Sequence, residues 1–269
     1  MIKLVTIDLD GTLFDKNKNI SIENLNAINL AKQKGVYIVL ATGRPISGVL
    51  PTLKKLNLCS DNDYVITYNG AKVFNVKTKE VIASSTISGK TVKELYAESK
   101  RLNVNFHSFR ANEELITPKH NPYTDVESKI NHIEDHLFDF NKILDDDQFI
   151  KAMMVDSEEN INRIIPMVSQ EFKDNFSMVR SSKIFLEFLN KNTHKGHALC
   201  KLANFLNIDL KDTMAIGDAG NDIEMIKLSG IGVAMENAFA DVKEIADYIT
   251  TSNENDGVSK AIHKFILDN

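Results

Sequence analysis

Carboxylate and hydroxyl side chains stand in three short segments, each directly after a run of apolar and β-branched residues. Asp8 and Asp10 follow the first run, Thr42 follows the second and Asp218 the third. Two neighbouring carboxylates with separate roles, one a nucleophile and one an acid/base, are what covalent phosphoryl transfer needs. Carboxylates gathered at one point repel each other unless a cation lies between them, and Mg²⁺ prefers such hard oxygen ligands. The pattern therefore indicates phosphate chemistry with a bound Mg²⁺ ion.

Residues suited to holding an anion accompany these carboxylates. Thr42 offers a hydroxyl, Gly43 lets the backbone approach a ligand closely, and Pro45 can begin a helix whose N-terminus favours a phosphate. Lys195 begins another predicted helix and supplies a mobile positive charge. Each feature alone is common in a structural role, since Asp-x-Asp-Gly-Thr can be an Asx turn and Thr42 a helix cap. Their joint placement favours a site.

The elements that must position these residues alternate between strand and helix. Helices are predicted between the strands, and such alternation is typical of β-α-β units on a parallel sheet. The carboxyl ends of parallel strands form the ligand crevice, which brings residues remote in sequence together. We therefore predict an α/β fold with a doubly wound, Rossmann-like parallel sheet. The predicted strands are 3–7, 37–41, 64–68, 213–217 and 230–234.

The middle of the chain has a different pattern. Strand-like stretches at 104–109, 152–155, 176–179 and 184–189 mix with helix-like ones at 91–102 and 158–171. We predict an α+β cap domain over 83–190, inserted into a catalytic core formed by 1–82 and 191–269. Because clefts between domains are preferred ligand sites, the insertion itself points to a binding function.

Composition excludes several classes of partner. The 269 residues carry 32 Lys and Arg against 37 Asp and Glu, a net charge of −5, so a general attraction to nucleic acid is not expected. Cys59 and Cys200 have no CxxC spacing, which argues against a disulfide framework or a zinc site. No apolar stretch reaches the roughly 18 residues of a membrane span. The first apolar run leads into Asp8 without a signal-peptide cleavage site, and we expect a cytoplasmic monomer or weak homo-oligomer.

Taken together, the motifs resemble those of a known family, the haloacid dehalogenase-like (HAD) hydrolases. Within it the chain is most similar to Cof-type sugar-phosphate phosphatases with a cap of the larger C2 type. The resemblance covers essentially the whole chain, although the cap matches in size and position more than in motif. The motifs are Asp8-Leu9-Asp10-Gly11-Thr12, Ala41-Thr42-Gly43-Arg44, Lys195-Gly196 and Gly217-Asp218-x-x-Asn221-Asp222, with 232–238 and 256–258 also similar.

The resemblance implies a role for each matched position. Asp8 would attack phosphorus and become an aspartyl-phosphate, while Asp10 would protonate the leaving alcohol and then deprotonate the hydrolytic water. Mg²⁺ would be held by the Asp8 carboxylate, the Asp10 carbonyl and Asp218, and Asp222 would orient its neighbours. The groups implied to hold phosphoryl oxygens are the Leu9 backbone, Thr42, Gly43, Lys195 and Asn221. The implied substrate is a small phosphorylated metabolite, foremost a sugar phosphate, with flavin and pyridoxal phosphates as open alternatives.

The sequence constrains the choice of substrate and the outcome of the reaction less closely than it constrains the core motifs. The polar candidates for reading the leaving group are Arg44, His107, Arg110, Arg180 and Glu187, each of which also fits a structural pairing. A phosphomutase or phosphotransferase would use the same covalent intermediate with a sugar hydroxyl as acceptor. A phosphorylatable signalling module would also gather carboxylates, a threonine and a lysine around Mg²⁺. The acid/base Asp10 and the large insertion argue against a signalling module.

Overall fold

The structure, a computed structural model, describes residues 1–268 and divides the chain into two compact units. The sheet unit comprises Met1–Ser84 together with the chain from His194 onward, and the inserted unit is Ser85–Thr193. Within residues 1–268, none of the helices combines the length and apolar character that a membrane crossing needs.

The strands, in chain order, are β1 (Leu4–Ile7), β2 (Tyr37–Ala41), β3 (Tyr64–Thr67), β4 (Lys72–Asn75), β5 (Val81–Ser84), β6 (Ile87–Ser88), β7 (Asn105–Arg110), β8 (Leu115–Thr117), β9 (Asp135–Leu137), β10 (Gln148–Val155), β11 (Phe176–Ser182), β12 (Phe185–Asn190), β13 (Thr213–Gly217), β14 (Ile231–Ala234) and β15 (Tyr248–Ile249). The α-helices are α1 (Ile22–Gln33), α2 (Ile46–Lys55), α3 (Gly89–Leu102), α4 (Pro122–Asn131), α5 (Glu158–Ile164), α6 (Gln170–Asn175), α7 (Lys195–Phe205), α8 (Ile223–Leu228), α9 (Ala240–Glu244) and α10 (Gly257–Ile262).

The sheet unit contains one eight-stranded sheet in the order β15-β14-β13-β1-β2-β3-β4-β5. The strands β1 and β13 are buried along their whole length, which explains their nearly continuous apolar sequence. From β15 to β3 every pairing is parallel, so the predicted α/β fold with a doubly wound parallel core is confirmed. Helix α1 begins where predicted, because the Ser21 side chain accepts a hydrogen bond from the Asn24 amide.

The register of the three central strands positions the chemistry. Ile7 at the end of β1 lies opposite Leu40 of β2 on one side and Ile216 of β13 on the other. Asp8, Thr42 and Asp218 come within two residues after these positions. Because all three strands run in the same direction, the three side chains begin at one edge of the sheet.

One edge of the sheet departs from the prediction. The third strand ends at Thr67 rather than at residue 68, and the chain turns back to form β4 and β5, which pair antiparallel. These two strands did not stand out in the sequence, because a short edge hairpin needs no long apolar run.

The inserted unit has its own sheet in the order β11-β12-β10-β7-β8-β9, with β6 pairing to β10. Its pairings are antiparallel except between β8 and β9. The predicted helix over 158–171 is wrong as one element, since α5 ends at Ile164 and α6 begins at Gln170. Pro166 lies between them, and a proline has no amide hydrogen with which to continue a helix.

The sheet unit offers a matched test of its core. Phe74 on β4 is 5% exposed whereas Phe239 is 66% exposed. We expect Phe74→Ala to lower the free energy of unfolding by about 3–5 kcal/mol, because a large buried ring leaves a cavity. Phe239→Ala should change it by no more than about 0.5 kcal/mol. Denaturant titrations of the two variants measure the difference, and equal losses would contradict this description of the core.

Candidate active site

Three carboxylates meet at the edge of the parallel sheet. One oxygen each from Asp8, Asp218 and Asp222 lies within 4.8 Å of the others, an arrangement that could hold a metal ion. Asp8 follows β1, Asp218 follows β13, and Asp222 ends the turn that leads into α8. Gly11, with φ of +91°, allows the close approach, because a Cβ atom there would lie 2.4 Å from Oδ2 of Asp218.

A buried lysine lies among these carboxylates. Nζ of Lys195, the first residue of α7, donates to Oδ1 of Asp8 at 2.5 Å and to Oδ1 of Asp222 at 2.7 Å. Burial lowers the pKa of Lys195, but the two carboxylates outweigh burial, so the pKa of this ammonium group is raised. Lys195 is therefore charged throughout the physiological range and holds the two carboxylates together.

The Asp222 carboxylate is fully engaged by the protein. Its Oδ2 atom accepts hydrogen bonds from the amides of Asp218 at 3.0 Å and Ala219 at 3.1 Å, while Oδ1 accepts from Lys195. Asp222 thus fixes the backbone that presents Asp218. This is the geometry expected of a residue that orients its neighbours, and it also adds a negative charge to the cluster.

Burial, together with neighbouring negative charge, raises the pKa of two carboxyls of the cluster. Burial raises the pKa of Asp8 to about 8, with the charge of Asp222 adding to the effect and Lys195 opposing it. Burial also raises the pKa of Asp218 to about 6, although the Thr12 hydroxyl, which donates to its Oδ1 at 2.7 Å, opposes the shift. A divalent cation would stabilise the ionised forms, so the site is electrostatically suited to one.

Asp10 lies outside this cluster in a different environment. Its carboxylate accepts from Nη2 of Arg44 at 2.8 Å and from Nε at 3.2 Å, and Lys18 donates to the same group. Burial raises the pKa of Asp10, but Lys18 and Arg44 together lower it below the ordinary value. Arg44, one of the predicted candidates for contacting the leaving group, pairs with Asp10 in this structure. Its guanidinium also lies 5.6 Å from the centre of the Phe14 ring.

Two of the predicted phosphate-binding residues, Thr42 and Asn221, are both hydrogen-bonded to Asn69, which was not predicted as a site residue. Thr42 is buried and its hydroxyl accepts from the Arg44 amide at 3.2 Å. Asn221 donates from Nδ2 to Oδ1 of Asn69 at 3.0 Å. Leu9 is buried between Asp8 and Asp10. Asn69 and Gly70 form an Asn-Gly pair directly after the predicted strand 64–68, and such a pair signals a turn rather than a residue of a binding site.

In the inserted unit, two of the predicted specificity residues share a sheet face. His107 and Glu187 both lie opposite Met153, one from β7 and one from β12. Burial and the charge of Lys151 lower the pKa of His107 to about 3, so this imidazole is neutral, and Nδ1 lies 3.0 Å from the Thr124 hydroxyl.

A buried ion cluster on the same face was not predicted. Nζ of Lys151 lies 3.1 Å from Glu187 and 3.5 Å from Glu127, and all three side chains are buried. Sequence alone gave no signal for it, because the three residues come from separate strands and a helix.

Arg110 and Arg180 are not brought to this face. Nε of Arg110 lies 3.4 Å from Glu114 and its guanidinium is 4.4 Å from the centre of the Phe138 ring. Arg180 is exposed and donates to Asn162 at 2.6 Å. Each of the two has a structural partner within its own unit.

The chain is similar over nearly its whole length to known proteins. Residues 5–262 match the family model of haloacid dehalogenase-like hydrolases. The Bacillus subtilis protein YxeH, which carries a provisional phosphatase name, is 39% identical over 99% of both chains. The 5-amino-6-(5-phospho-D-ribitylamino)uracil phosphatase YcsE of the same organism is 32% identical over 99% of this chain and 96% of its own. The solved structure of the HAD subclass IIB sugar phosphatase BT4131 is 30% identical, covers 98% of both chains and has a TM-score of 0.78.

Removing the buried ammonium tests the electrostatics of the cluster. We expect Lys195→Met to lower the free energy of unfolding by about 3–5 kcal/mol at neutral pH, because the buried Asp8 and Asp222 side chains then lose the ammonium group that offsets the cost of their burial. Lys211, whose side chain is 78% exposed, pairs with Asp209 on the surface. Lys211→Met is the matched control and should change the free energy by less than about 1 kcal/mol.

Denaturant unfolding of both variants, carried out without divalent cations, gives the comparison. The loss in Lys195→Met should be smaller below pH 8, where Asp8 holds a proton, than above it, where Asp8 is ionised and attracts the ammonium group. A loss that equals the control at neutral pH would contradict this electrostatic description.

Proposed function

As a member of the haloacid dehalogenase-like hydrolases, the family to which this chain belongs, the protein is a phosphatase, and we propose that it hydrolyses small phosphate monoesters through an aspartyl-phosphate on Asp8, with Mg²⁺ as its metal ion. The observation that carries the proposal is the buried contact of Lys195 with Asp8 and Asp222, beside Asp218. A nucleophile that must accept a phosphoryl group needs a fixed orientation and nearby positive charge, and this contact supplies both.

In the first half-reaction an oxygen of Asp8 attacks phosphorus. The new bond joins that oxygen to phosphorus, the bond from phosphorus to the ester oxygen breaks, and the leaving oxygen takes a proton from Asp10. In the second half-reaction water attacks phosphorus, Asp10 takes its proton, and the bond to Asp8 breaks. Asp8 is thereby regenerated and inorganic phosphate is released.

The surroundings of Asp10 support its proposed role as the residue that carries protons. Its side chain is 43% exposed, so solvent and a leaving group can both reach it. Arg44 and Lys18 favour its ionised form, which is the form that accepts a proton from water. To act as an acid, Asp10 must first take up a proton. The Arg44–Asp10 ion pair opposes this protonation, and a substrate phosphate that competes for Arg44 would weaken the pair.

The donor set suits a magnesium ion. Asp8 and Asp218 would hold it through their carboxylates and Asp10 through its backbone carbonyl, all of them hard oxygen ligands. When bound, the ion supplies positive charge that offsets the negative charge of the transferring phosphoryl group.

A phosphorylated sugar or sugar alcohol is the proposed substrate class. The names of two relatives support it, since BT4131 is named a sugar phosphatase and YcsE is named for a substrate with a phosphorylated ribityl chain. For selection of the leaving group we retain His107 and Glu187. Oε2 of Glu187 is buried and has no hydrogen-bond partner among the described residues, so it is an available acceptor for a hydroxyl.

The nucleophile is tested by an isosteric change. Asp8→Asn should abolish turnover of p-nitrophenyl phosphate, because an amide does not form the covalent intermediate. Asp209→Asn is the control, since the Asp209 side chain is 71% exposed, and it should retain full activity. Steady-state assays with Mg²⁺, supported by circular dichroism of both variants, decide the matter, and an active Asp8→Asn enzyme would refute the proposal.

Metal binding should depend on pH in a defined direction. Asp218 and Asp8, with pKa values raised to about 6 and about 8, must lose protons before they ligate a cation. The affinity for Mg²⁺ should therefore fall as the pH is lowered, by roughly tenfold per pH unit for each proton displaced. Titration calorimetry in buffers of different ionisation enthalpy measures both the affinity and the protons released. An affinity that is independent of pH, without proton release, would show that these carboxyls do not bind the ion.

A further inference from the structure

The turn between β3 and β4 has an unusual backbone. Three consecutive residues have positive φ angles, 52° at Tyr68, 55° at Asn69 and 100° at Gly70. The left-handed conformation is unfavourable for a residue that carries a side chain, and Tyr68 is a large buried residue. Such a conformation persists only where the surroundings hold it in place, and it is often found at functional sites.

This turn packs against the segment that contains Thr42. The Asn69 amide donates to the carbonyl of Thr42 at 3.0 Å, and the Tyr68 amide donates to the carbonyl of Arg44 at 3.2 Å. A Cβ atom at Gly43 would lie 3.1 Å from the side-chain amide of Asn69. The turn therefore determines where the backbone of residues 42–44 lies.

The same turn reaches the two other segments of the site. Oδ1 of Asn69 accepts the hydrogen bond from Nδ2 of Asn221 at 3.0 Å. Gly70 allows a close approach to the start of α7, since a Cβ atom there would lie 2.4 Å from the His194 carbonyl oxygen and 2.9 Å from the Lys195 amide nitrogen. One three-residue turn thus contacts all three segments that carry Thr42, Lys195 and Asn221.

The amide of Asn221 gains direction from this contact. A side-chain amide nitrogen carries two hydrogens in fixed geometry. When one of them is donated to Asn69, the rotation of the group is restricted and the second hydrogen has a defined direction. A donor that is oriented before the ligand arrives binds it at a lower entropic cost.

We propose that Asn69 is a positioning residue that holds Asn221 and the Thr42–Gly43 backbone in one arrangement, so that both bind the same phosphoryl group. The inference rests on the proposed function, since it concerns the phosphate that the site would bind. Asn69 itself need not touch the phosphate. Asn69 is buried, with 4% of its surface exposed, and its side chain acts through Asn221.

A glycine substitution separates the side chain from the backbone. Asn69→Gly keeps the left-handed conformation without strain and removes only the amide. Asn57 also has a left-handed backbone, with φ of 55°, but it lies exposed after α2. Asn57→Gly is therefore a matched control that makes the same change in the same unit away from the site.

The experiment measures binding of inorganic phosphate to the Mg²⁺-loaded protein by calorimetry, together with kcat and KM for p-nitrophenyl phosphate and the melting temperature. Asn69→Gly should bind phosphate about tenfold more weakly, whereas Asn57→Gly should bind it like the wild type. The two variants should melt at similar temperatures. Unchanged phosphate affinity in Asn69→Gly would overturn the inference, as would an affinity loss in both variants that follows a loss of stability.

A double-substitution cycle tests whether Asn69 acts through Asn221. Asn221→Ala should weaken phosphate binding in the wild type and add little in the Asn69→Gly background, because the oriented donor is already lost. Fully additive losses would show that the two residues act separately and would overturn the inference. A wild-type protein that neither binds phosphate nor hydrolyses the ester would instead refute the proposed function, and this inference with it. If the wild type binds phosphate and hydrolyses the ester, the proposed function stands, and the result for Asn69→Gly then tests only the role of Asn69.

Discussion

The site depends on one buried ammonium group held between two carboxylates. Lys195 is fully buried, and its contacts with Asp8 and Asp222 join the start of α7 to the residues that follow β1 and precede α8. Taking these charges out of water is costly, and only their mutual attraction offsets the cost. The arrangement is therefore sensitive to the position of every element that carries one of the three groups. It also leaves the cluster with a net negative charge, which explains why a divalent cation suits it.

Two carboxylates two residues apart have opposite electrostatic environments. Asp8 is buried and its pKa is raised to about 8, while Arg44 and Lys18 lower the pKa of the more exposed Asp10. This difference fits a division of labour in which one group attacks phosphorus and the other carries protons. It arises from the turn after β1, which leaves Asp8 against Lys195 and Asp10 towards Arg44.

The sequence predicted well those features of the fold and the site that follow from the apolar pattern of the strands and from their parallel direction. Apolar runs identified β1, β2 and β13, and the parallel order then required Asp8, Thr42 and Asp218 to lie at one edge. What it missed depends on side-chain direction and local backbone geometry. The left-handed turn at 68–70, the pairing of Arg44 with Asp10 and the buried Lys151 cluster all join residues whose proximity no periodicity reports. The break between α5 and α6 was different, because Pro166 was visible in the sequence and should have shortened the predicted helix.

The most direct test of the account is the identity of the covalent intermediate. The protein would be mixed with a phosphate ester and Mg²⁺, quenched in acid within the first turnover, digested and analysed by mass spectrometry. The account predicts the added mass of one phosphoryl group on the peptide that contains Asp8, and on Asp8 itself by fragmentation. A phosphoryl group on another residue, or efficient turnover with no phosphorylated peptide at any quench time, would contradict it.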